Sequence, residues 1–100
     1  MRLKDKVAII TGGGRGIGKA LALGFANQGA HIVVASRTDS EVIAVSEKVR
    51  EFGRESLGIV CDISDENQVK NLVDSTIKKF NRVDVLINNA GIGSMRPVYA

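Results

Sequence analysis

Short apolar runs alternate with longer segments of helical periodicity along the chain. The apolar runs are rich in β-branched residues and cover residues 7–11, 31–35, 56–61 and 83–87. Extended runs that alternate with helices in this way are typical of βαβ units, in which the strands form a parallel sheet. The pattern therefore predicts an α/β fold with four parallel strands.

Three segments between these runs have apolar residues at helical spacing. The first extends from Gly16 to about residue 28, and Gly29 follows it where a C-terminal cap would need a positive φ. The second is predicted to have Asp39 as its N-cap and to end at Gly53, and the third to have Ser64 as its N-cap. The residues expected to face the core are Ile17, Leu21, Gly24 and Phe25 in the first helix, Val42, Val45, Val49 and Phe52 in the second, and Val69, Leu72, Val73, Ile77 and Phe80 in the third.

The composition fits one globular domain. Of the 100 residues, 44% are hydrophobic, and neither a low-complexity tract nor an internal repeat is present. The net charge of +3 comes from basic residues spread along the chain, which indicates a solvated surface rather than a nucleic-acid interface. No apolar stretch approaches the roughly 20 residues of a membrane span, and the N-terminus lacks the apolar region of a signal peptide. We therefore expect a cytoplasmic protein that binds neither nucleic acid nor membrane.

The chain contains a single cysteine, Cys61. One cysteine excludes an internal disulfide and suits a reducing compartment. Its place at the end of an apolar run predicts a small buried hydrophobic residue rather than a reactive thiol. No metal site is predicted.

The loop TGGGRGIG lies between the first predicted strand and the first predicted helix. Its backbone N–H groups and the positive end of the helix dipole would face an anion at this turn, and glycines allow the close approach. The dinucleotide fingerprint GxGxxG is absent in register, because Ile17 stands where the third glycine would follow Gly12 and Gly14. The spacing is instead GxxxGxG, formed by Gly12, Gly16 and Gly18.

A second nucleotide-binding pattern overlaps this loop. Residues 13–19 satisfy GxxxxGK, but a P-loop then requires Ser or Thr to coordinate Mg²⁺, and Ala20 has no oxygen to offer. A P-loop nucleotide hydrolase is therefore disfavoured, as is a glycine turn without any ligand.

Two motifs together carry a specific resemblance. Thr11-Gly12-x-x-x-Gly16-x-Gly18, with Asn88-Asn89-Ala90-Gly91 after the fourth strand, resembles the short-chain dehydrogenase/reductase family of the classical type. The resemblance covers essentially the whole chain and matches the family's N-terminal, cofactor-binding half. It implies a Rossmann-like, three-layer fold with the first four strands and three helices of a doubly wound sheet. Residues 1–100 would then be a single NAD(P)-binding domain that is incomplete at its C-terminus.

The resemblance also implies which residues hold the cofactor. Asp62, after the third strand, would contact the adenine, although its carboxylate could instead assist capping near Ser64. Asn88 could touch the cofactor or only tie neighbouring strands together. The predicted cofactor-binding residues are Gly12, Gly14, Arg15, Gly16, Ile17, Gly18, Ser36, Arg37, Asp62, Ile63, Asn89, Ala90 and Gly91.

The end of the second strand indicates which nicotinamide cofactor is preferred. An acidic side chain at this place would bond the ribose 2′-OH of NAD, but Ser36 and Arg37 stand here. The guanidinium of Arg37 can form two parallel hydrogen bonds to a 2′-phosphate, and Arg15 in the glycine loop is a second cation within reach. These residues predict a preference for NADP over NAD, while Asp39 comes two residues too late for the ribose.

The family's catalytic groups, a Ser and a Tyr-x-x-x-Lys, do not occur here. Tyr99 is the only tyrosine and is followed by Ala100, and Pro97 before it is predicted to open a further helix. No catalytic residue is therefore assigned, and the 100-residue chain alone is expected to be inactive. The resemblance implies hydride transfer between NADP(H) and a small carbonyl or alcohol by a parent enzyme that forms homo-oligomers. The alternative is a dinucleotide-binding module or fragment without chemistry.

Overall fold

The computed structural model describes residues 2–89 and the backbone of residues 96–99. Within these residues, the strands form one sheet in the order β3-β2-β1-β4-β5. The first four strands are mutually parallel, and β5 is antiparallel to β4. The elements are β1 (Val7–Thr11), α1 (Gly16–Asn27), β2 (His31–Ser36), α2 (Asp39–Glu51), β3 (Ser56–Val60), α3 (Glu66–Phe80), β4 (Val85–Asn88) and β5 (Arg96–Tyr99).

The sheet is covered on both faces, as expected for parallel strands. Alternate residues of β1 point to opposite sides: Ala8 and Ile10 join a cluster with α1 and α2, whereas Val7 and Ile9 join a cluster with α3. Every residue of β1 is buried. The structure is therefore the predicted Rossmann-like α/β fold in three layers, with two helices on one face and one on the other.

The helix predicted to begin at Pro97 is wrong, because Pro97 lies within strand β5. Its Cα is paired with that of Ile87 in the antiparallel register between β4 and β5. β5 is the last strand of the sheet order, and an edge strand tolerates proline because its outer N–H positions have no partner strand.

Helix α1 packs on the sheet through small residues, which corrects the predicted inward face. Gly18, Ala22 and Ala26 are its buried residues, while Ile17 is 58% exposed and Gly24 is also exposed. Small side chains bring the helix backbone close to the strands and leave no room for a bulky Ile17 beneath it. Leu21 and Phe25 are partly buried at the margin of the core, as their spacing predicted.

The other two helices keep most of their predicted faces. In α2, Val42, Val45 and Val49 are buried, but Phe52 follows the last helical turn and is 44% exposed. In α3, Leu72 is buried, and Val69 and Phe80 are partly buried against it. Val73 and Ile77 are exposed, contrary to prediction, because the buried stripe passes through Thr76, whose hydroxyl donates to the carbonyl oxygen of Leu72.

Two of the predicted helix caps are also corrected. Thr38 is the N-cap of α2, and Asp39 lies inside the first turn, where a carboxylate favours the helix dipole. Asp65, not Ser64, is the N-cap of α3, and its carboxylate accepts hydrogen bonds from the backbone N–H groups of Asn67 and Gln68. The positive φ expected at Gly29 is confirmed at 97°. Within the described part of the chain, no helix has the length and apolar character required to cross a membrane.

Asp84 fastens the start of β4 to the start of β1. One carboxylate oxygen, Oδ2, accepts a 2.8 Å hydrogen bond from the N–H of Val7, and the Asp84 N–H donates to the Val7 carbonyl oxygen. The other oxygen, Oδ1, lies 2.6 Å from the Arg82 guanidinium. The hydrogen bond from Arg82, the one from Val7, and the positive charges of Arg82 and Lys6 hold the pKa of Asp84 below its usual value.

Replacing Asp84 with asparagine is expected to lower the free energy of unfolding by about 1–3 kcal/mol at neutral pH, because charge-assisted hydrogen bonds are lost. The pKa of Asp84 is lower in the folded protein than in the unfolded chain, where it is about 3.9. The stabilisation is therefore complete above about pH 3.9 and is lost as the pH falls through the pKa of Asp84 in the folded protein. Urea titrations at several pH values should show the two proteins converging below about pH 4. Asp74→Asn, at an exposed position of α3, is the control. A difference that is independent of pH would contradict this assignment.

Candidate functional site

The glycine loop connects β1 to α1 and uses positive backbone dihedrals. The φ angle is 65° at Gly12 and 59° at Gly16, which are values that side chains rarely adopt. A methyl group added at Gly16 would have no heavy atom within 4 Å, so Gly16 faces open space at the start of the helix. The loop thus leaves its backbone accessible beside the positive end of α1.

Gly18 has a different role in the same loop. A methyl group at Gly18 would overlap the carbonyl oxygen of Gly12 and lie 2.9 Å from Nδ2 of Asn89. Gly18 therefore permits the first turn of α1 to pack directly on the backbone at the end of β1.

Hydrogen bonds from Thr11 join the carboxyl ends of β1 and β4. The Thr11 hydroxyl can donate to Oδ1 of Asn88 at 3.0 Å or to the carbonyl oxygen of Ile87 at 3.3 Å. It also accepts from the N–H of Asn89 at 3.2 Å. Asn88 thus ties neighbouring strands together, one of the two roles expected for it, and the network fixes Asn89 beside the glycine loop.

A cavity of about 560 Å³ opens at the carboxyl ends of the parallel strands. Its size lies within the range of about 300–1,000 Å³ that is typical of small-molecule and cofactor sites, and its place at the strand ends is where open α/β sheets bind ligands. The predicted residues that line it are Gly12, Gly14, Arg15, Gly16, Ser36, Arg37, Asp62, Ile63 and Asn89.

Of the four remaining predicted residues, two are described by the structure and two are not. Ile17 and Gly18 belong to α1 but are not among the residues that line the cavity, and Ala90 and Gly91 lie outside the described residues. The lining residues that the sequence analysis missed are Thr38, Glu41, Cys61 and Ser64. Thr38, Cys61 and Ser64 follow the ends of β2 and β3, which could have indicated them because these strands end at the same edge of the sheet, whereas Glu41 lies within α2 and carries no such signal.

Two cations, Arg15 and Arg37, flank the cavity, and the charge of Arg37 acts on the Asp62 carboxylate. Arg15 and Arg37 are both exposed, and among the residues that the structure describes neither forms an ion pair. Both guanidinium groups are therefore available to an anion, although water screens them.

Asp62 lies across the cavity with its carboxylate already engaged in the turn before α3. Its Oδ1 accepts hydrogen bonds from the Ser64 hydroxyl at 2.7 Å and from the Ser64 N–H at 2.9 Å. These two hydrogen bonds, and then the charge of Arg37, lower the pKa of Asp62. The carboxylate is thus charged at neutral pH and orders the turn, while Asp65 caps the helix itself.

Cys61 is buried, as predicted, and it also lines the cavity. Burial raises the pKa of its thiol, and the charges of Asp62 and Asp65 raise it further. A thiol that remains protonated near neutral pH is a poor nucleophile. In the part of the chain that the structure describes, no group of His, Cys, Asp or Glu side chains could hold a metal ion.

Comparison with known proteins assigns the family. The family model for short chain dehydrogenase matches residues 6–100, and the chain therefore belongs to the short-chain dehydrogenase family. It is 44% identical over 90 residues to an uncharacterized oxidoreductase of Mycobacterium tuberculosis, covering 90% of this chain and 34% of that protein. The family assignment decides against the P-loop alternative.

Two solved structures have the same fold. The chain superposes on NAD⁺-bound xylitol dehydrogenase with a TM-score of 0.88 and 36% identity, over 92% of this chain and 35% of that one. On L-sorbose reductase from Gluconobacter frateurii, complexed with NADPH and L-sorbose, the TM-score is 0.87 and the identity 39%, over 94% and 37% of the two chains. The chain thus spans about a third of the length of the relatives that it matches, and the two neighbours hold different nicotinamide cofactors.

Proposed function

We propose that this chain is the NADP(H)-binding half of a short-chain oxidoreductase that transfers a hydride between NADP(H) and a small carbonyl or alcohol. The observation that carries the proposal is the convergence of Arg15 and Arg37 on the cavity beside the glycine loop, where neither forms an ion pair among the described residues. On this proposal residues 1–100 are a single cofactor-binding domain.

The residues of the cavity fit a dinucleotide. The open space at Gly16, which a side chain would fill, suits a pyrophosphate approaching the N–H groups of the loop and of the first turn of α1. Asp62 and Ile63 would hold the adenine, Arg15, Ser36 and Arg37 the 2′-phosphate. Asn89, with Ala90 and Gly91 after it, would hold the part of the cofactor beyond the pyrophosphate. When bound, the cofactor supplies the hydride chemistry, and these residues bind and orient it.

The remaining catalytic groups belong, on this proposal, to the rest of the full-length enzyme. Reduction of a carbonyl requires a proton donor near the oxygen, and residues 1–100 contain no Tyr-x-x-x-Lys to supply one. The family resemblance supports a homo-oligomer, and the single cysteine suits the reducing conditions of the cytoplasm.

Replacing Arg37 with alanine tests the cofactor assignment. The unmutated protein is expected to bind NADPH more tightly than NADH, and Arg37→Ala should reduce this preference by about tenfold or more, because a charge-assisted contact contributes about 1.5–3 kcal/mol. NADH affinity should change little. The measurement is a fluorescence or calorimetric titration with both cofactors.

Lys48→Ala is the matched control, since it removes a positive charge from an exposed position of α2 that does not line the cavity. It should leave the ratio of the two affinities unchanged. Arg37→Lys should retain part of the preference, because a lysine keeps the charge but loses the bidentate geometry. Equal affinities for NADPH and NADH in the unmutated protein would refute the assignment.

A further inference from the structure

Glu41 brings a carboxylate into the cavity that holds Arg15 and Arg37. It belongs to the first turn of α2, and its side chain lies against the glycine loop. A methyl group added at Gly14 would lie 2.6 Å from Oε1 of Glu41 and 3.2 Å from Oγ of Ser36. Gly14, Ser36 and Glu41 therefore form one wall of the cavity.

The carboxylate of Glu41 has no partner of its own within the described chain. None of the hydrogen bonds or ion pairs found there involves its oxygens, although its backbone N–H donates to Thr38. Glu41 is only partly exposed, so its charge is screened less than that of a fully solvated side chain. A carboxylate that is bonded to no other described side chain thus lines the same cavity as the two arginines.

We propose that Glu41 is a specificity-determining residue that limits the preference for NADP(H) over NAD(H). This inference rests on the proposed function, in which the 2′ position of the adenosine ribose lies in this cavity. A 2′-phosphate would be attracted by Arg15 and Arg37 but repelled by Glu41. A free 2′-hydroxyl could donate a hydrogen bond to the same carboxylate. Both effects favour the cofactor without the 2′-phosphate.

The role of Glu41 follows from the fold and not from its place in the sequence. An acidic residue at the end of β2 would be expected to contact the ribose, but Ser36 and Arg37 occupy that place. The first turn of α2 returns over the glycine loop, and Gly14 lacks a side chain that would displace Glu41. The acidic function is thereby supplied from the helix.

The test uses two adenosine probes that differ only in the group of interest. Adenosine 2′,5′-bisphosphate and 5′-AMP are titrated against the unmutated protein, Glu41→Gln and Glu41→Ala. We expect the ratio of the affinity for the bisphosphate to that for 5′-AMP to rise at least about threefold in both variants, the size expected for a partly exposed charge interaction. Glu47→Gln, at an exposed position of the same helix outside the cavity, should leave the ratio unchanged.

The outcomes separate this inference from the proposed function. If the unmutated protein does not favour the bisphosphate, the NADP(H) assignment fails, while a rise in the ratio in Glu41→Gln still supports the role of Glu41. An unchanged ratio in properly folded variants overturns the inference and leaves the cofactor assignment standing. A lowered ratio also overturns it, because Glu41 would then hold the arginines in place. If neither probe binds, both proposals are refuted.

Discussion

Replacing Gly18 with alanine is expected to destabilise the fold and to weaken dinucleotide binding together. The added methyl group would overlap the carbonyl oxygen of Gly12, which is backbone and cannot rotate away, so α1 must move from the end of β1. Overpacking of this kind costs about 1–3 kcal/mol or more in the free energy of unfolding. The displaced loop and the amide of Asn89 would lose the arrangement that lines the cavity. Urea unfolding and NADPH titration measure the two effects.

Gly24→Ala is a matched control in the same helix. A methyl group at Gly24 would have no heavy atom within 4 Å, and the residue is exposed in the middle of α1. Alanine there should stabilise the protein by about 0.5–1 kcal/mol, because it restricts the unfolded chain and favours the helix, and cofactor affinity should not change. Normal stability and affinity in Gly18→Ala would show that the loop and the helix are not in direct backbone contact.

The order of strands and helices could be predicted because each element has a distinct apolar period. Strands β1 and β2 are apolar runs that are buried along most of their length, and a run of this kind differs from an amphipathic helix in length and spacing. Which residues of each helix face the core was less predictable. Ile17 has helical spacing with Leu21, which suggested that it faces the core. The buried residues of α1 are instead Gly18, Ala22 and Ala26, because their small size lets the helix approach the sheet closely.

The candidate site could be predicted where its residues are consecutive in the sequence. The glycine loop and the ends of β2 and β3 are short segments that the strand order brings to one edge, so Arg15, Arg37 and Asp62 line one cavity. Glu41 could not be found in this way, because its position depends on how α2 lies over Gly14. Strand β5 was not predicted either, because proline is tolerated both at the first position of a helix and in an edge strand, so Pro97 alone does not distinguish the two.

Replacing Gly16 with valine is expected to abolish dinucleotide binding. The residue lines the cavity and faces open space at the start of α1, where the proposed pyrophosphate would approach the backbone N–H groups. A branched side chain would fill that space and prevent several charge-assisted hydrogen bonds of about 1.5–3 kcal/mol each, so we expect affinity for NADPH to fall at least about a hundredfold. The φ of 59° also makes valine unfavourable, at a cost to folding of about 1–2 kcal/mol. Titration and urea unfolding of the same preparation separate the two losses.

The matched control is Gly53→Val, which places the same side chain in the same region of backbone conformation. Gly53 has a φ of 79°, a methyl group there would have no heavy atom within 4 Å, and the residue does not line the cavity. Gly53→Val should therefore lose a similar amount of stability but retain its affinity for NADPH. If both variants bind NADPH equally well, the open space at Gly16 does not receive the cofactor. If Gly16→Val fails to fold while Gly53→Val folds, Gly16 is required for the backbone conformation first, and the pyrophosphate must then be tested with Gly16→Ala, whose smaller side chain strains the turn less.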